Sequence, residues 1–345
     1  MRSVAIGGVL FAALSLTVTA CSSGAGTSAN APAAAAGSAA GAAGGSSGAA
    51  GAASAVGGDT SVFLPKSLDN PYWVDARKGM EDEAKKLGVK AQFLGPNTDD
   101  AGQQVAIFES VLAQKPAGIA VSPNDPASVI NIISQARAAG IPVIAWDGPV
   151  PNSKVMGYIG TNNVTAGVRQ ADALVKAMGE TGSVAIVTGS LSATNLVQRL
   201  QGLKQGLAKH PGIKIVATEV SDESIAGAQS KAETLLQAHP DLKGMAGISG
   251  SDLPGIAGAL KAAGKCGQIK AVGFDVVPQD VTAMEGKCVD ATISQKPFGM
   301  TAQALQILAN LHNKKGALKE GFNVDTGVEV VTPDNLKNFQ ATAPH

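Results

Sequence analysis

Short apolar runs alternate with longer segments of helical period from Asp59 to near the end of the chain. Most of the runs are continuous rather than alternating apolar and polar, which is typical of strands buried on both faces of a sheet. We predict strands at nine runs: Ser61–Leu64, Ala91–Leu94, Gly118–Val121, Val143–Trp146, Val184–Val187, Ile213–Ala217, Met245–Ile248, Ala271–Phe274 and Ala291–Ser294.

Amphipathic segments between these runs predict helices. Gly88, Gly140 and Gly264 mark helix ends, and Asp69-Asn70-Pro71 and Asp125-Pro126 mark helix starts. Strands and helices in this order form parallel sheets that are covered on both faces, so the sequence predicts an α/β fold with doubly wound sheets. The predicted helical segments include Val74–Leu87, Val105–Leu112, Val129–Ala138, Ala171–Met178, Ala302–Leu311 and a segment that ends in Leu235–Ala238.

An internal repeat indicates two similar lobes. The segment from Val111 to Asp125 is echoed by the segment from Leu235 to Asp252, and a second pair of segments ends in Trp146-Asp147 and Phe274-Asp275. The offset is 127 residues from 125 to 252 and 128 residues from 147 to 275. Matches in the same order and at nearly the same offset predict a duplicated α/β unit.

The first sixty residues have a different composition. Met1-Arg2 is positively charged, Val4–Val18 is apolar, and small residues lead to Cys21, which predicts a signal peptide over residues 1–20. Cys21 stands where a bacterial lipobox places its lipidated cysteine; the alternative is ordinary signal cleavage near an unrelated Cys. Ser22–Gly57 is almost entirely Ala, Gly and Ser without charge, which predicts a flexible tether of roughly 30–35 Å r.m.s. span.

The charge of the chain argues against nucleic-acid binding, and its cysteines permit one disulfide. Lys and Arg number 27 and Asp and Glu number 27, so the chain lacks the positive charge that a nucleic-acid-binding protein needs. If Cys21 carries a lipid, Cys266 and Cys288 remain, and an exported protein permits a disulfide between them. The alternative is two buried thiols.

Polar and aromatic side chains follow the predicted strands. The carboxyl ends of parallel strands are where ligands bind in such folds, so these side chains are candidate ligand contacts. Carboxylates, amides and Lys hydrogen-bond to hydroxyl groups, and aromatic faces pack against C–H surfaces, which together suit a polyhydroxylated ligand. The candidates are Lys66, Asn70, Tyr72, Trp73, Ser122, Asn124, Trp146 and Asp147 in the first half and Asn195, Arg199, Asp252, Asp275 and Gln295 in the second.

Each candidate also has an interpretation that needs no ligand. Asp and Asn at strand ends often cap the following helix, and Asn70 before Pro71 fits that role. Trp73 could fix its helix to the sheet, Trp146 could belong to the core, and Arg199 could lie between helices or at the surface. The evidence for a binding site is therefore that all of these residues lie at or after the carboxyl ends of strands, and no single residue establishes the site.

Motifs for catalysis are missing from the sequence. No Gly-x-Gly-x-x-Gly follows the first strand, no nucleotide-binding P-loop occurs, and the segment Gly247–Ser251 lacks the final glycine of a nucleophile elbow. No paired spacing of metal ligands occurs either. The sequence therefore predicts a binding protein without cofactor or metal, and a secreted hydrolase that uses Ser249 is the alternative enzyme class.

Five motifs resemble those of the ribose-type periplasmic binding protein family, the solute-binding components of sugar ABC importers: Pro65-Lys66-Ser67-Leu68-Asp69-Asn70-Pro71-Tyr72-Trp73, Ser122-Pro123-Asn124-Asp125, Trp146-Asp147, Val272-Gly273-Phe274-Asp275 and Thr292-Ile293-Ser294-Gln295. The resemblance covers about Asp59 to Pro333. It implies two lobes joined by three crossing segments, with a sugar in the cleft bound at Asn70, Trp73, Asp147, Asp252, Asp275 and Gln295.

Some positions depart from the ribose pattern. Gly148 stands where ribose binders have Arg, Ser122 stands where Asn is frequent, and an aromatic of the second lobe is replaced near Glu223. Lys66, Trp146-Asp147 and Thr194-Asn195 are more similar to the rhamnose and autoinducer-2 binders of the same superfamily. The resemblance therefore leaves a pentose, a deoxyhexose and a linear polyol open as ligands.

The expected organisation follows. Residues 1–20 form the signal peptide and 21–58 the lipidated Cys and tether; 59–161 with 296–327 form the N-terminal lobe, and 162–295 with 328–341 form the C-terminal lobe. We expect a monomeric, exported, lipid-anchored protein that captures a monosaccharide or polyol and presents it to an ABC permease and ATPase complex. A receptor that passes the same closed form to a membrane sensor is the alternative.

Overall fold

The computed structural model describes residues 56–315 and 319–342. The predicted signal peptide, Cys21 and most of the predicted tether lie outside the described residues. Val56, near the end of the tether, is buried in the core of the first lobe, and its N–H donates to Gln114 Oε1 at 2.8 Å. The packed chain thus begins by residue 56, shortly before the first strand.

The first lobe is a six-stranded sheet in which all neighbouring strands are parallel, in the order β11-β5-β4-β3-β1-β2. Alternate side chains of each strand point to opposite faces, so Phe63 packs against helices α1 and α9, and Val62 and Leu64 pack against α2 and α3. The elements are β1 Thr60–Leu64, α1 Tyr72–Leu87, β2 Lys90–Phe93, α2 Ala101–Ala113, β3 Gly118–Val121, α3 Pro126–Ala138, β4 Val143–Trp146, β5 Gly157–Gly160, α9 Pro297–His312 and β11 Phe322–Asp325.

The second lobe repeats this topology in the order β12-β10-β9-β8-β6-β7, with only β12 antiparallel to its neighbour. Val184 and Ile186 pack toward α4 and α5, and Ala185 and Val187 pack toward α6 and α7. The elements are α4 Asn163–Met178, β6 Thr181–Thr188, α5 Thr194–Leu207, β7 Gly212–Val220, α6 Ile225–Ala238, β8 Leu242–Gly247, α7 Asp252–Ala262, β9 Lys270–Phe274, α8 Pro278–Glu285, β10 Ala291–Ser294, β12 Glu329–Val331 and α10 Leu336–Thr342.

The chain passes between the two sheets three times. It crosses after β5, after β10 and after β11. The structure therefore confirms an α/β fold with two parallel-sheet lobes. In the described part of the chain, no helix combines the length and the apolar character that a membrane crossing requires.

All nine predicted strands are present, but the described residues also form three strands that were not predicted. β5 (Gly157–Gly160) begins and ends with glycine, β11 (Phe322–Asp325) alternates apolar and polar residues at a sheet edge, and β12 (Glu329–Val331) has three residues. None of the three is a continuous apolar run, which is the pattern that identified the buried strands. β11 and β12 lie at sheet edges and β5 lies next to an edge, where a strand is less completely covered and does not need a continuous apolar run.

Cys266 and Cys288 form the predicted disulfide, with their Cα atoms 4.2 Å apart. The bridge joins the segment after α7 to the segment after α8. It therefore fixes the far side of the second lobe, at the amino ends of β9 and β10.

Helices α4 and α5 approach each other very closely because glycines line their contact. A Cβ atom added to Gly202 of α5 would overlap the carbonyl oxygen of Val164, and one added to Gly167 of α4 would overlap that of Arg199. Backbone lies directly against backbone here, so neither side has a flexible side chain that could move away. This contact sets the position of α5, whose first turns carry Asn195 and Arg199.

We expect Gly202→Ala to lower the free energy of unfolding by about 2 kcal/mol or more, because the added methyl forces the two helices apart. Urea unfolding measures this loss. Gly299→Ala is the matched control, since Gly299 lies in α9 and a Cβ atom added there would meet open space, and it should stabilise the protein by about 0.5 kcal/mol. Equal effects of the two substitutions would contradict the close-packing interpretation.

Candidate functional site

The carboxyl ends of the two sheets face each other, and side chains from both lobes bond directly across the gap. Lys66, after β1, donates to Asn195 Oδ1 of α5 at 2.9 Å. Asn195 Nδ2 in turn donates to Asp147 Oδ2, after β4, at 3.3 Å. All three side chains are buried. The lobes are therefore closed on each other, and these three predicted site residues meet at the closure.

The repeat-related aspartates are held by the same backbone arrangement in each lobe. Asp147 has φ 56° and Asp275 has φ 67°, both in the left-handed region. Their N–H groups donate to the carbonyl oxygens of Ile159 and Ile293, one strand along, at 3.0 and 2.9 Å. Non-glycine residues in this conformation store strain and are frequent at functional sites. The duplication thus places one carboxylate at the cleft edge of each sheet.

The Asp147 carboxylate accepts three hydrogen bonds from side chains of the described chain. Tyr72 donates to Oδ1 at 2.9 Å, Ser122 donates to Oδ2 at 2.7 Å, and Asn195 also donates to Oδ2. Burial, with the nearby Asp147 charge, raises the pKa of Tyr72 well above its usual value, so this hydroxyl remains a donor at neutral pH. A carboxylate has about four acceptor positions, so Asp147 keeps about one for another partner.

Arg199 is the centre of the second-lobe network. Its guanidinium donates to Asn163 Oδ1 at 2.9 Å, to Gln295 Oε1 at 2.7 Å and to the Ile248 carbonyl at 3.4 Å. It also lies over the Phe274 ring, 4.4 Å from the centroid. Arg199 is 2% exposed, so the surface alternative for this residue is wrong.

Gln295 connects Arg199 to the second aspartate. Its Oε1 accepts from Arg199 and, at 2.8 Å, from Thr161 Oγ1, while its Nε2 donates to Asp275 Oδ1 at 2.9 Å. Thr161 and Gln295 lie in two of the crossing segments. Burial raises the pKa of Asp275 to about 6, although Arg199 acts in the opposite direction. Burial therefore raises the pKa of Asp275 more than Arg199 and Gln295 lower it.

Asn70, Asn124 and Asp252 hold the backbone around the site. Asn70 Oδ1 accepts from the Tyr72 N–H at 3.0 Å, and Asn124 Nδ2 donates to the Lys66 carbonyl at 3.1 Å. The Asp252 carboxylate accepts from two backbone N–H groups, those of residues 248 and 249, and from the Ser221 hydroxyl. The Asn70 contact lies at the start of α1, as the capping interpretation predicts, whereas Asn124 and Asp252 bond to loop backbone and do not cap the helices that follow them. Ligand contact at these three residues stays a prediction.

Trp73 and Trp146 belong to the core of the first lobe. Their rings meet edge to face with centroids 5.4 Å apart, and Phe63 and Phe93 pack against Trp146 at 6.1 and 6.2 Å. Trp146 is fully buried. Trp146 is therefore a core residue, as the alternative interpretation predicted. Its Nε1 lacks a hydrogen-bond partner among the described residues.

The structure also brings Glu223 into the closure, a residue that the sequence analysis noted only as a departure. Glu223 follows β7, its side chain is 8% exposed, and its Oε1 lies 3.6 Å from Lys66 Nζ. No local motif marks such a residue. The signal that could have found it is the replacement of an expected aromatic by a carboxylate.

A family comparison agrees with this geometry. Residues 61–316 match the family model described as a periplasmic binding protein domain. The chain belongs to the periplasmic binding protein family. It is accordingly a solute-binding protein and not an enzyme, and the hydrolase alternative is wrong. Among the described residues of this binding protein, no cluster of His, Cys, Asp and Glu side chains could hold a metal ion.

Relatives of this periplasmic binding protein include sugar binders. The D-allose-binding periplasmic protein of Escherichia coli K12 is 30% identical over 254 residues, covering 71% of this chain and 82% of that protein. A solute-binding protein of Burkholderia graminis in complex with D-arabinose is 36% identical with a TM-score of 0.77, covering 81% of this chain and 97% of the other. One of Actinobacillus succinogenes with bound D-allose is 27% identical with a TM-score of 0.75, covering 81% and 99%.

Asp275 gives the binding protein a pH-dependent stability. Its folded pKa of about 6 lies above the ordinary value of 3.8, so the protonated form is favoured in the fold, and the stability that it contributes is lost as the pH rises through about 6. We compare the free energy of unfolding of the wild type with that of Asp275→Asn. We expect the advantage of the wild type to fall by about 2 kcal/mol as the pH rises from 4 to 6.5. Urea unfolding of both proteins across this range measures the difference. A pH-independent difference would contradict the assignment.

Proposed function

We propose that this protein is the sugar-binding component of an ABC importer and holds one monosaccharide or related polyol between its lobes. The observation that supports this is the meeting of Asp147 from the first lobe and Asp275 from the second at one buried closure, with Lys66 and Arg199 beside them. Buried charged groups of both signs, supplied by two lobes, form a site for a neutral ligand with many hydroxyl groups.

The described residues do not use all the hydrogen-bonding positions of these groups. Arg199 has five N–H donors and uses three of them in the contacts above. Among the described side chains, one, that of Gln295, donates to the Asp275 carboxylate. Adjacent hydroxyls of a sugar can donate to a carboxylate and accept from a guanidinium at the same time. A ligand with this pattern contacts both lobes and so favours the closed form over the open one.

The identity of the sugar is a finer proposal. The named relatives are described as binding D-allose or D-arabinose, which favours an aldopentose or aldohexose. The likeness to rhamnose and autoinducer-2 binders rests on Lys66, Trp146-Asp147 and Thr194-Asn195 and stays a prediction. Lys66 and Asn195 bond to each other at the closure, so both are positioned to contact a ligand there.

The transport role includes an anchor and partners. Cleavage after residue 20 and lipidation of Cys21 would fix the exported protein to the membrane through the Ala/Gly/Ser-rich segment. The closed lobes would then present the sugar to an ABC permease and its ATPase. Mass measurement of the protein isolated from its own cell membranes tests the anchor, since an unmodified Cys21 would contradict it.

Thermal denaturation with a ligand panel tests the function. D-allose, D-arabinose, D-ribose, L-rhamnose and xylitol are compared with a nucleoside and an amino acid. A true ligand at about 100 times its Kd should add about 2.7 kcal/mol of stability. Stabilisation by the nucleoside or the amino acid, with none by any sugar or polyol, would contradict the proposal.

We expect Asp147→Asn and Asp275→Asn each to weaken binding of the best sugar at least about 100-fold, because a charge-assisted hydrogen bond in a buried site is lost. Isothermal titration calorimetry measures the Kd. Asp172→Asn is the matched control, because Asp172 is exposed on α4, and its Kd should equal that of the wild type. Sugar affinity within threefold of the wild type in both site variants would place the ligand elsewhere.

A further inference from the structure

Glu223 is held in the closure by a specialised turn. Asp222 and Glu223 both have positive φ, 55° and 54°, so two consecutive non-glycine residues adopt the left-handed conformation. The Glu223 N–H donates to the Gly189 carbonyl at 3.2 Å. A Cβ atom on Gly189 would lie 2.8 Å from Glu223 Cδ, so the glycine leaves space for the carboxylate. Such strain persists only where the surrounding structure fixes it.

The Glu223 carboxylate is buried but incompletely bonded. Its side chain is 8% exposed, and Oε1 accepts no hydrogen bond from any described residue. Lys66 Nζ is 3.6 Å from this oxygen, beyond the 2.7–2.9 Å or so of a charge-assisted hydrogen bond. A buried carboxylate oxygen normally accepts a hydrogen bond, so this one has capacity for a further partner.

Lys66 has matching capacity on the other side of the closure. Its ammonium group has three N–H donors, and one of them is used by Asn195 Oδ1 at 2.9 Å. Lys66 belongs to the first lobe and Glu223 to the second. A hydroxyl group can accept from the ammonium and donate to the carboxylate, and its oxygen could lie about 2.8 Å from both atoms at their present separation.

We propose that Glu223 is a specificity-determining residue that binds, together with Lys66, one particular hydroxyl group of the ligand. This inference rests on the proposed function and adds a residue to its site. A ligand without that hydroxyl, or with the hydroxyl inverted, leaves two buried charged groups without their partner. Sites of this kind discriminate strongly between otherwise similar ligands.

A purely mechanical role for the pair makes a different prediction. If Lys66 and Glu223 only fasten the lobes together, removal of Glu223 weakens every ligand by the same factor, whichever hydroxyl groups it carries. If Glu223 binds one hydroxyl, its removal and the removal of that hydroxyl are not additive. A cycle that combines a protein variant with deoxy sugars separates the two roles.

The test titrates the wild type, Glu223→Ala and Glu223→Gln by calorimetry with the tightest binder among D-allose, D-arabinose and D-ribose and with its monodeoxy derivatives. We expect Glu223→Ala to weaken the parent sugar 10- to 100-fold and Glu223→Gln to recover part of this loss. One deoxy derivative should lose at least tenfold in the wild type and less than threefold in Glu223→Ala. Glu219→Gln, which removes a half-exposed carboxylate of β7, is the matched control and should behave as wild type.

Other results would overturn the inference about Glu223, the proposed function or both. Equal loss of affinity for all derivatives in Glu223→Ala, or no loss for any of them, would overturn the inference, provided that melting temperatures show that the variant is folded. If the nucleoside or amino acid of the panel binds instead of a sugar, the proposed function fails, and the same variants are titrated with that compound. An unchanged Kd in Glu223→Ala would then overturn the inference separately. A panel without any binder overturns both proposals.

Discussion

The closed arrangement of this protein depends on charged groups that two lobes bury against each other. Lys66, Asp147, Arg199 and Asp275 are each at most 5% exposed, and Lys66 and Asp147 are bonded to Asn195 from the opposite lobe. Burial of a charge is costly unless hydrogen bonds and opposite charges compensate it. Separation of the lobes returns these groups to water, so closure is favourable only to the extent that partners replace that water. A ligand that supplies such partners shifts the balance.

The duplication provides symmetric carboxylates in unlike surroundings. Asp147 and Asp275 share a left-handed backbone and the same hydrogen bond to the neighbouring strand, which follows from two copies of one topology. Around Asp147 the donors are mainly hydroxyls, from Tyr72 and Ser122, whereas Asp275 receives the amide of Gln295. The backbone of each copy thus fixes where a carboxylate stands, and divergent neighbours decide what each one can bind. Such a cleft is suited to an asymmetric ligand.

Sequence patterns were sufficient to predict the two α/β lobes, their repeated topology and the sheet edge at which Lys66 and Asp147 lie. Continuous apolar runs identify buried strands because a parallel sheet is covered on both faces, and strand ends then locate the polar residues. The direction in which each strand-end side chain points, into the cleft or away from it, is not encoded in these patterns. Asp252 bonds to its own loop and Trp146 packs with Phe63, although each follows or ends a strand as Asp147 does. That choice depends on the side chains of neighbouring loops, which local sequence does not contain.

Left-handed backbone is costly for residues other than glycine, and some residues at the closure adopt it. Eight non-glycine residues of the described chain have positive φ, and three of them, Asp147, Glu223 and Asp275, lie at the closure. Elsewhere in the described chain, glycine occupies most positions of this kind, as at the ends of α1 and α7. A side chain is therefore retained at the three cleft positions despite the conformational cost, and all three are carboxylates. Since strained residues persist where the rest of the structure compensates them, the strain is consistent with acceptor groups aimed into the space between the lobes.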